Sequence, residues 1–260
     1  MRAKINNILM GYEEIGNEGP PIILIHGFGL NRSIWKDLAG NYLSPHRVIL
    51  PDVRGHGESE APEGVYPMTL LAEDIFQLMD FLQIEQAAVC GHSMGGYITL
   101  AFADKYPERL AGLGLITTRA EVDTEEKQAD RYLMAEEVKK RGAIVLADSL
   151  ASKLTNDEHV QQKSYEILKN TDPLGIIGVL QGMAQRPDRR DLLSRIRVPT
   201  LVVAGDQDQI IDEKDARLLA NAIPMGRFHL VSGAGHMPMM EKPEALAEGM
   251  NWLISQMNWS

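Results

Sequence analysis

The chain has 260 residues, 44% hydrophobic and 24% charged, a balance that excludes a disordered polymer and allows one sizeable buried core. Its 36 acidic against 26 basic residues leave a formal net charge of −10, which argues against a nucleic-acid partner; the densest basic stretch, residues 186–197, is interleaved with Asp188 and Asp191 and reads as a solvated connector. The single cysteine, Cys90, excludes an internal disulfide, and no run has the length of a signal peptide or membrane span, so a cytoplasmic protein without a membrane partner is expected.

Short apolar runs alternate with helical patterns along the chain. Residues 22–25, 48–50, 87–90, 113–116, 201–203 and 228–231 are too short for buried helices, and most are continuously apolar rather than alternating. That is the pattern of strands covered on both faces in a largely parallel sheet. Helix-compatible stretches at 69–82, 96–106, 213–222 and 243–256 lie between them. The alternation predicts a doubly wound, mostly parallel α/β sheet whose reactive groups gather on loops at the carboxyl ends of the strands. Cys90, inside one such strand, reads as a small buried hydrophobe.

Residues 119–187 break the alternation. No strand is expected there, but four helices are: 124–141 closed by Gly142, 143–153, 157–169 and 173–185. Asp172 caps the last of these and Pro173 occupies a first-turn position where no N–H is needed. Gly175, Gly178 and Gly182 recur in it at helical spacing, a costly choice that permits close packing. The segment is expected to form an all-helical lid at 119–187 over a core of residues 1–118 and 188–260. Met134, Ile176, Leu180 and Met183 from the lid, with Met237 from the core, are candidate pocket residues.

Gly91-His92-Ser93-Met94-Gly95 stands between an apolar strand and a helical run. A strand that turns abruptly into a helix strains the apex residue, so the positions two away must lack bulky side chains; Gly91 and Gly95 meet that demand. The turn lifts the Ser93 oxygen clear of the sheet beside a helix N-terminus, whose free N–H groups favour a developing negative charge. Ser93 is therefore the candidate nucleophile. Its hydroxyl needs a histidine base, and that base needs an orienting carboxylate. Of seven histidines, His236 lies in the Gly-rich loop 232–238 after the last strand, whereas His229 sits inside that strand and His46 and His159 read as surface residues. The preceding strand is followed by three acids: Asp208 is favoured for its reach, Asp206 is the alternative, and Asp212 reads as a helix cap. The N–H groups of Met94 and of Phe28, in His26-Gly27-Phe28-Gly29, are the expected oxyanion donors.

With Asp52-Val53-Arg54-Gly55-His56-Gly57-Glu58-Ser59, Gly205-Asp206-Gln207-Asp208 and Gly233-Ala234-Gly235-His236, these motifs resemble the α/β-hydrolase superfamily in order and across nearly the whole core. The resemblance implies that fold, a Ser93-Asp208-His236 triad, and a structural loop at 52–59 in which Arg54 and His56 are not catalytic. Serine at the nucleophile position disfavours haloalkane dehalogenases and epoxide hydrolases, which carry aspartate there. Met183-Ala184-Gln185-Arg186-Pro187-Asp188 is similar to enol-lactonases that open 3-oxoadipate enol-lactone. The expected activity is hydrolysis of a carboxylic ester of a small, mainly apolar substrate through an acyl-enzyme, with no metal or organic cofactor. Enol-lactone or carbon–carbon bond hydrolysis, perhydrolysis, and a hydrolase-fold receptor with vestigial turnover are the alternatives. The sequence leaves monomer and homodimer both open.

Overall fold

The computed structural model describes residues 1–257. Its eight strands are β1 (Arg2–Ile5), β2 (Ile8–Ile15), β3 (Glu18–Ile25), β4 (His46–Pro51), β5 (Ala87–His92), β6 (Leu110–Ile116), β7 (Thr200–Gly205) and β8 (Gly226–Val231). They form one sheet in the order β1-β2-β4-β3-β5-β6-β7-β8. Every pairing from β4 to β8 is parallel, and only the β1–β2 and β2–β4 pairings are antiparallel. Each residue of β5 and β7 is buried, as the continuously apolar runs require.

The chain leaves β3 for β4 on one side and returns to β5 on the other, so strand order reverses between β3 and β5. At such a switch point the loops at the carboxyl ends diverge and open a crevice. The loop after β3 and the turn after β5 flank it.

The β1–β2 hairpin is absent from the sequence reading. Its inward alternation, Ala3 and Ile5 buried against exposed Arg2 and Lys4, covers four residues only. The connecting Asn6 and Asn7 take φ of 44° and 65°, the left-handed pair that a two-residue hairpin needs.

The helices are α1 (Lys36–Tyr42), α2 (Met68–Phe81), α3 (Met94–Lys105), α4 (Glu125–Arg141), α5 (Ile144–Leu154), α6 (Glu158–Lys169), α7 (Pro173–Ala184), α8 (Arg190–Leu193), α9 (Glu213–Asn221), α10 (Pro238–Glu241) and α11 (Pro243–Gln256). Helices α4 to α7 occupy the whole path from β6 to the connector before β7. Three of the four starts follow local capping chemistry: at α4, α6 and α7, Thr124, Asp157 and Asp172 accept from the N–H groups of Lys127, Val160 and Leu174 at 3.3, 2.9 and 2.9 Å. Helix α7 sits directly on the backbone of loop 55–66. A Cβ at Gly175 would fall 1.9 Å from the Gly55 carbonyl oxygen, and one at Gly182 would fall 1.8 Å from that of Tyr66.

The stretch 186–197 is not the solvated connector that its local acids suggest. Arg186 and Arg189 are buried and pair with Asp123 and Asp104, each at 2.6 Å, carboxylates too distant in sequence to be recognised as partners. Only Arg190 takes the local partner, Asp188, also at 2.6 Å. Cys90 is fully buried, and burial pushes its thiol up to about 12, which leaves it a small apolar group. Among the described residues no helix is long and apolar enough to cross a membrane.

Candidate active site

Ser93 occupies the turn between β5 and α3 with φ 53° and ψ −113°, a region that an L-residue adopts only under constraint. The constraint is visible on both sides. A Cβ at Gly91 would lie 2.1 Å from the Gly95 carbonyl carbon, and one at Gly95 would lie 2.4 Å from the Ile25 carbonyl oxygen. The backbone is pinned as well: the Ser93 N–H donates to Ile116 at 2.9 Å, and its carbonyl accepts from the Thr118 hydroxyl at 2.7 Å.

His236 lies between β8 and α10 with its ring 1% exposed, and its Nδ1 is 2.8 Å from Oδ2 of Asp208, whose side chain is fully buried. The other Asp208 oxygen accepts from the N–H groups of Ile210 and Ile211 at 2.7 and 3.1 Å. A carboxylate so occupied leaves its second oxygen to the imidazole, which places the proton on Nδ1 and frees Nε2 as an acceptor. Asp206 serves a different end of the same loop, accepting from the Ser232 hydroxyl at 2.8 Å and the Gly233 N–H at 2.7 Å. Asp212 caps α9 through the Lys214 N–H at 2.8 Å. His229 bonds the Ala245 carbonyl at 2.8 Å and His159 is exposed, both away from the site.

The His236 backbone is bracketed from four directions. Its N–H donates to the Leu154 carbonyl at 2.9 Å, and its carbonyl accepts from His92 Nε2 at 2.8 Å and from the Thr117 hydroxyl at 3.3 Å. The Glu241 carboxylate accepts from the N–H groups of Gly235 and Met237, both at 2.9 Å. Thr117 carries φ 45°, an outlier for a β-branched residue, at the point where it reaches this carbonyl.

Phe28, Met94, Ser93 and His236 line one cavity of about 130 Å³. Among the described residues, the backbone N–H groups of Phe28 and Met94 have no acceptor and the Ser93 hydroxyl has no partner. The loop presenting Phe28 is held by two buried histidines. His26 donates from Nδ1 to the Gly27 carbonyl at 2.8 Å and accepts at Nε2 from the Val53 N–H at 3.0 Å. His56 donates to the Arg54 carbonyl at 3.0 Å and accepts from the Gly29 N–H at 3.2 Å. Burial pushes His26 down to about 4 and His56 down to about 3, so both rings are neutral, as their acceptor nitrogens demand. Arg54 forms a buried pair with Asp74 at 2.7 Å.

Of the pocket candidates, Met183 lines the Ser93 cavity, while Met134 and Leu180 line an adjoining one of about 270 Å³ that shares Phe28, Arg131 and Leu150 with it. Ile176 and Met237 lie in neither. Ile176 sits one turn nearer the α7 N-terminus, where the helix rests on loop 55–66, and Met237 is enclosed in the core. The sequence reading missed Leu150, Leu154, Tyr97 and Ile210 in the lining and, among charged residues, Arg131, which lines both cavities from the strongly charged helix α4. Nothing in the hydropathy pattern separates it from its solvated neighbours. A larger groove of about 720 Å³, lined by Ser33, Lys36, His159 and Glu166, contains none of these groups.

A family model described as "alpha/beta hydrolase fold" matches residues 20–243 of the chain. A thermophilic esterase from Thermogutta terrifontis superposes with a TM-score of 0.95 at 35% identity, covering 99% of each chain. An enol-lactonase from Burkholderia xenovorans superposes with a TM-score of 0.90 at 29% identity, covering 98% of this chain and 100% of that one. A 3-oxoadipate enol-lactonase of Acinetobacter baylyi is 28% identical over 260 residues, covering 97% of this chain and 95% of that protein.

Proposed function

The chain belongs to the α/β-hydrolase fold family, and from that premise we propose that it is a serine hydrolase cleaving a carboxylic ester or lactone through an acyl-enzyme. The observation that carries the reading is the buried Asp208–His236 hydrogen bond of 2.8 Å on the wall of the cavity that also receives the strained Ser93.

Ser93 Oγ attacks the carbonyl carbon as its proton passes to His236 Nε2, and Asp208 stabilises the imidazolium that forms. The tetrahedral oxyanion is met by the free N–H groups of Phe28 and Met94, donors already fixed in place and worth about 3 kcal/mol each in sites of this kind. Collapse expels the alcohol, which takes the proton from His236. Water then attacks the acyl-enzyme with His236 as base, the bond from the acyl carbon to Ser93 Oγ breaks, and His236 returns the proton to Oγ as the acid leaves.

Residues 119–187 serve as a lid on a core of residues 1–118 and 188–260. Arg131, Leu150, Leu154 and Met183 come from this segment to wall the cavity, which excludes water and strengthens the electrostatics inside. The lactone form of the reading is favoured by the names of the two enol-lactonase relatives and uses the same groups. The decisive experiment is Ser93→Ala assayed on a short p-nitrophenyl ester, with circular dichroism to show the fold retained. Loss of turnover to the buffer rate is expected, and retained turnover refutes the assignment.

A further inference from the structure

Among the described residues, Arg131 is the one side chain of the Ser93 cavity that carries a permanent charge, and it is a cation. Arg131 donates from Nε to Asp123 at 2.5 Å, but Asp123 also receives Arg186, whose guanidinium is 4% exposed, at 2.6 Å. Burial raises the Asp123 carboxyl, yet the hydrogen bonds and charges of the two arginines outweigh it and hold the group at about 2, so it carries one negative charge against two positive ones. A further Arg131 N–H is spent on the Met183 thioether at 3.4 Å, a weak acceptor that a carboxylate oxygen displaces readily.

The adjoining cavity extends the same imbalance to the surface. It lies between α4 and α5, is lined among the described residues by Lys127, Arg131 and Lys153 against one acid, Asp130, and shares Phe28, Arg131 and Leu150 with the Ser93 cavity. Among the described residues, neither lysine has a carboxylate partner. A positive mouth on a chain of net charge −10 runs against the overall field. Such a local field concentrates anions at a cleft.

We propose that the mouth between α4 and α5 admits anionic substrates: the ester or lactone cleaved at Ser93 carries a carboxylate that Lys127 and Lys153 draw in and that the Arg131 guanidinium takes up. The inference rests on the hydrolase reading above and replaces the mainly apolar substrate expected from the sequence with an anionic one.

The test compares mono-p-nitrophenyl succinate with p-nitrophenyl butyrate across salt concentrations from about 0.01 to about 1 M. The expected result is a higher kcat/KM for the succinate that declines toward the butyrate value as salt rises. Arg131→Gln, in which Asp123 keeps Arg186, lowers the succinate-to-butyrate ratio about tenfold or more. Lys153→Glu, which leaves two cations against two acids at the mouth, flattens the salt dependence. If both esters turn over and Ser93→Ala abolishes both, while the ratio ignores salt and Arg131→Gln, the anionic mouth is overturned and the hydrolase stands. If neither ester turns over, the hydrolase reading fails, and calorimetry with succinate alone decides the mouth. Binding lost in Arg131→Gln supports it; absent or equal binding overturns it.

Discussion

The Nε2–H of His92 donates to the backbone carbonyl of His236 at 2.8 Å, so the residue immediately before the proposed nucleophile holds the loop that carries the proposed base. Burial keeps the His92 ring well below the usual histidine range, so it is neutral and donates from Nε2 alone. His92→Leu removes the donor and leaves the carbonyl to the longer Thr117 bond of 3.3 Å. Misplacing a base by a fraction of an ångström costs about 10- to 100-fold in kcat while leaving KM nearly constant. His92→Gln, which supplies an N–H donor, recovers part of the loss. Steady-state kinetics on p-nitrophenyl butyrate check both, and an equal effect of Leu and Gln would remove the positioning role.

The two acids after β7 are separable by the same assay. Asp208→Asn presents an amide to His236 Nδ1, favours the wrong tautomer and should lower kcat by about 10³- to 10⁴-fold. Asp206→Asn keeps an oxygen for the Gly233 N–H or the Ser232 hydroxyl and should cost less than about tenfold. The reverse order would transfer the orienting role to Asp206.

The neutral pair His26 and His56, with ring centroids 5.3 Å apart, makes stability depend on pH. Both are pushed down by burial, to about 4 and about 3, with His26 adding to the effect on His56. The unfolded chain binds protons at these rings below about 6.5, whereas the fold does not until pH approaches 4 and then 3. Their contribution is therefore complete above about 6.5 and is lost as pH falls, amounting to a few kcal/mol near pH 4. Urea midpoints measured at pH 7 and pH 4.5 should differ in that direction, and His56→Gln should shrink the difference. Equal midpoints would contradict neutral rings.

The strands β3 to β7 were legible because their buried stretches write continuous apolar runs, and the half-buried β8 through its Phe228, Leu230 and Val231; the loops bearing Ser93, Asp208 and His236 were legible because they follow β5, β7 and β8. Helices α4, α6 and α7 announce their starts through Thr124, Asp157 and Asp172, whose capping is local chemistry. The hairpin β1–β2 escaped because half of its short first strand faces solvent. Arg131, Arg186 and Asp123 escaped for a different reason. Hydropathy marks which apolar residues go inside but does not say which charged residues are drawn in with them, and the partners of Arg186 and Arg189 lie outside any local window.

The seat of α7 on loop 55–66 yields the last prediction. Gly182 leaves no room for a methyl group: a Cβ there would stand 1.8 Å from the Tyr66 carbonyl oxygen, and backbone cannot yield as a flexible side chain can. Gly182→Ala should therefore push the helix away from the core, costing about 1–3 kcal/mol of overpacking. It should also lower turnover, because Met183, the next residue, walls the Ser93 cavity. Gly40, exposed in α1 with nothing within 4 Å of its would-be Cβ, is the control. There the same substitution removes only the entropic cost of glycine in a helix and should raise stability by about 0.5–1 kcal/mol with activity unchanged. Thermal melts of the two variants in parallel should move in opposite directions. A Gly182→Ala melt that matched the parent, with turnover intact, would mean that α7 can shift freely on its seat and that the cavity wall does not depend on this contact.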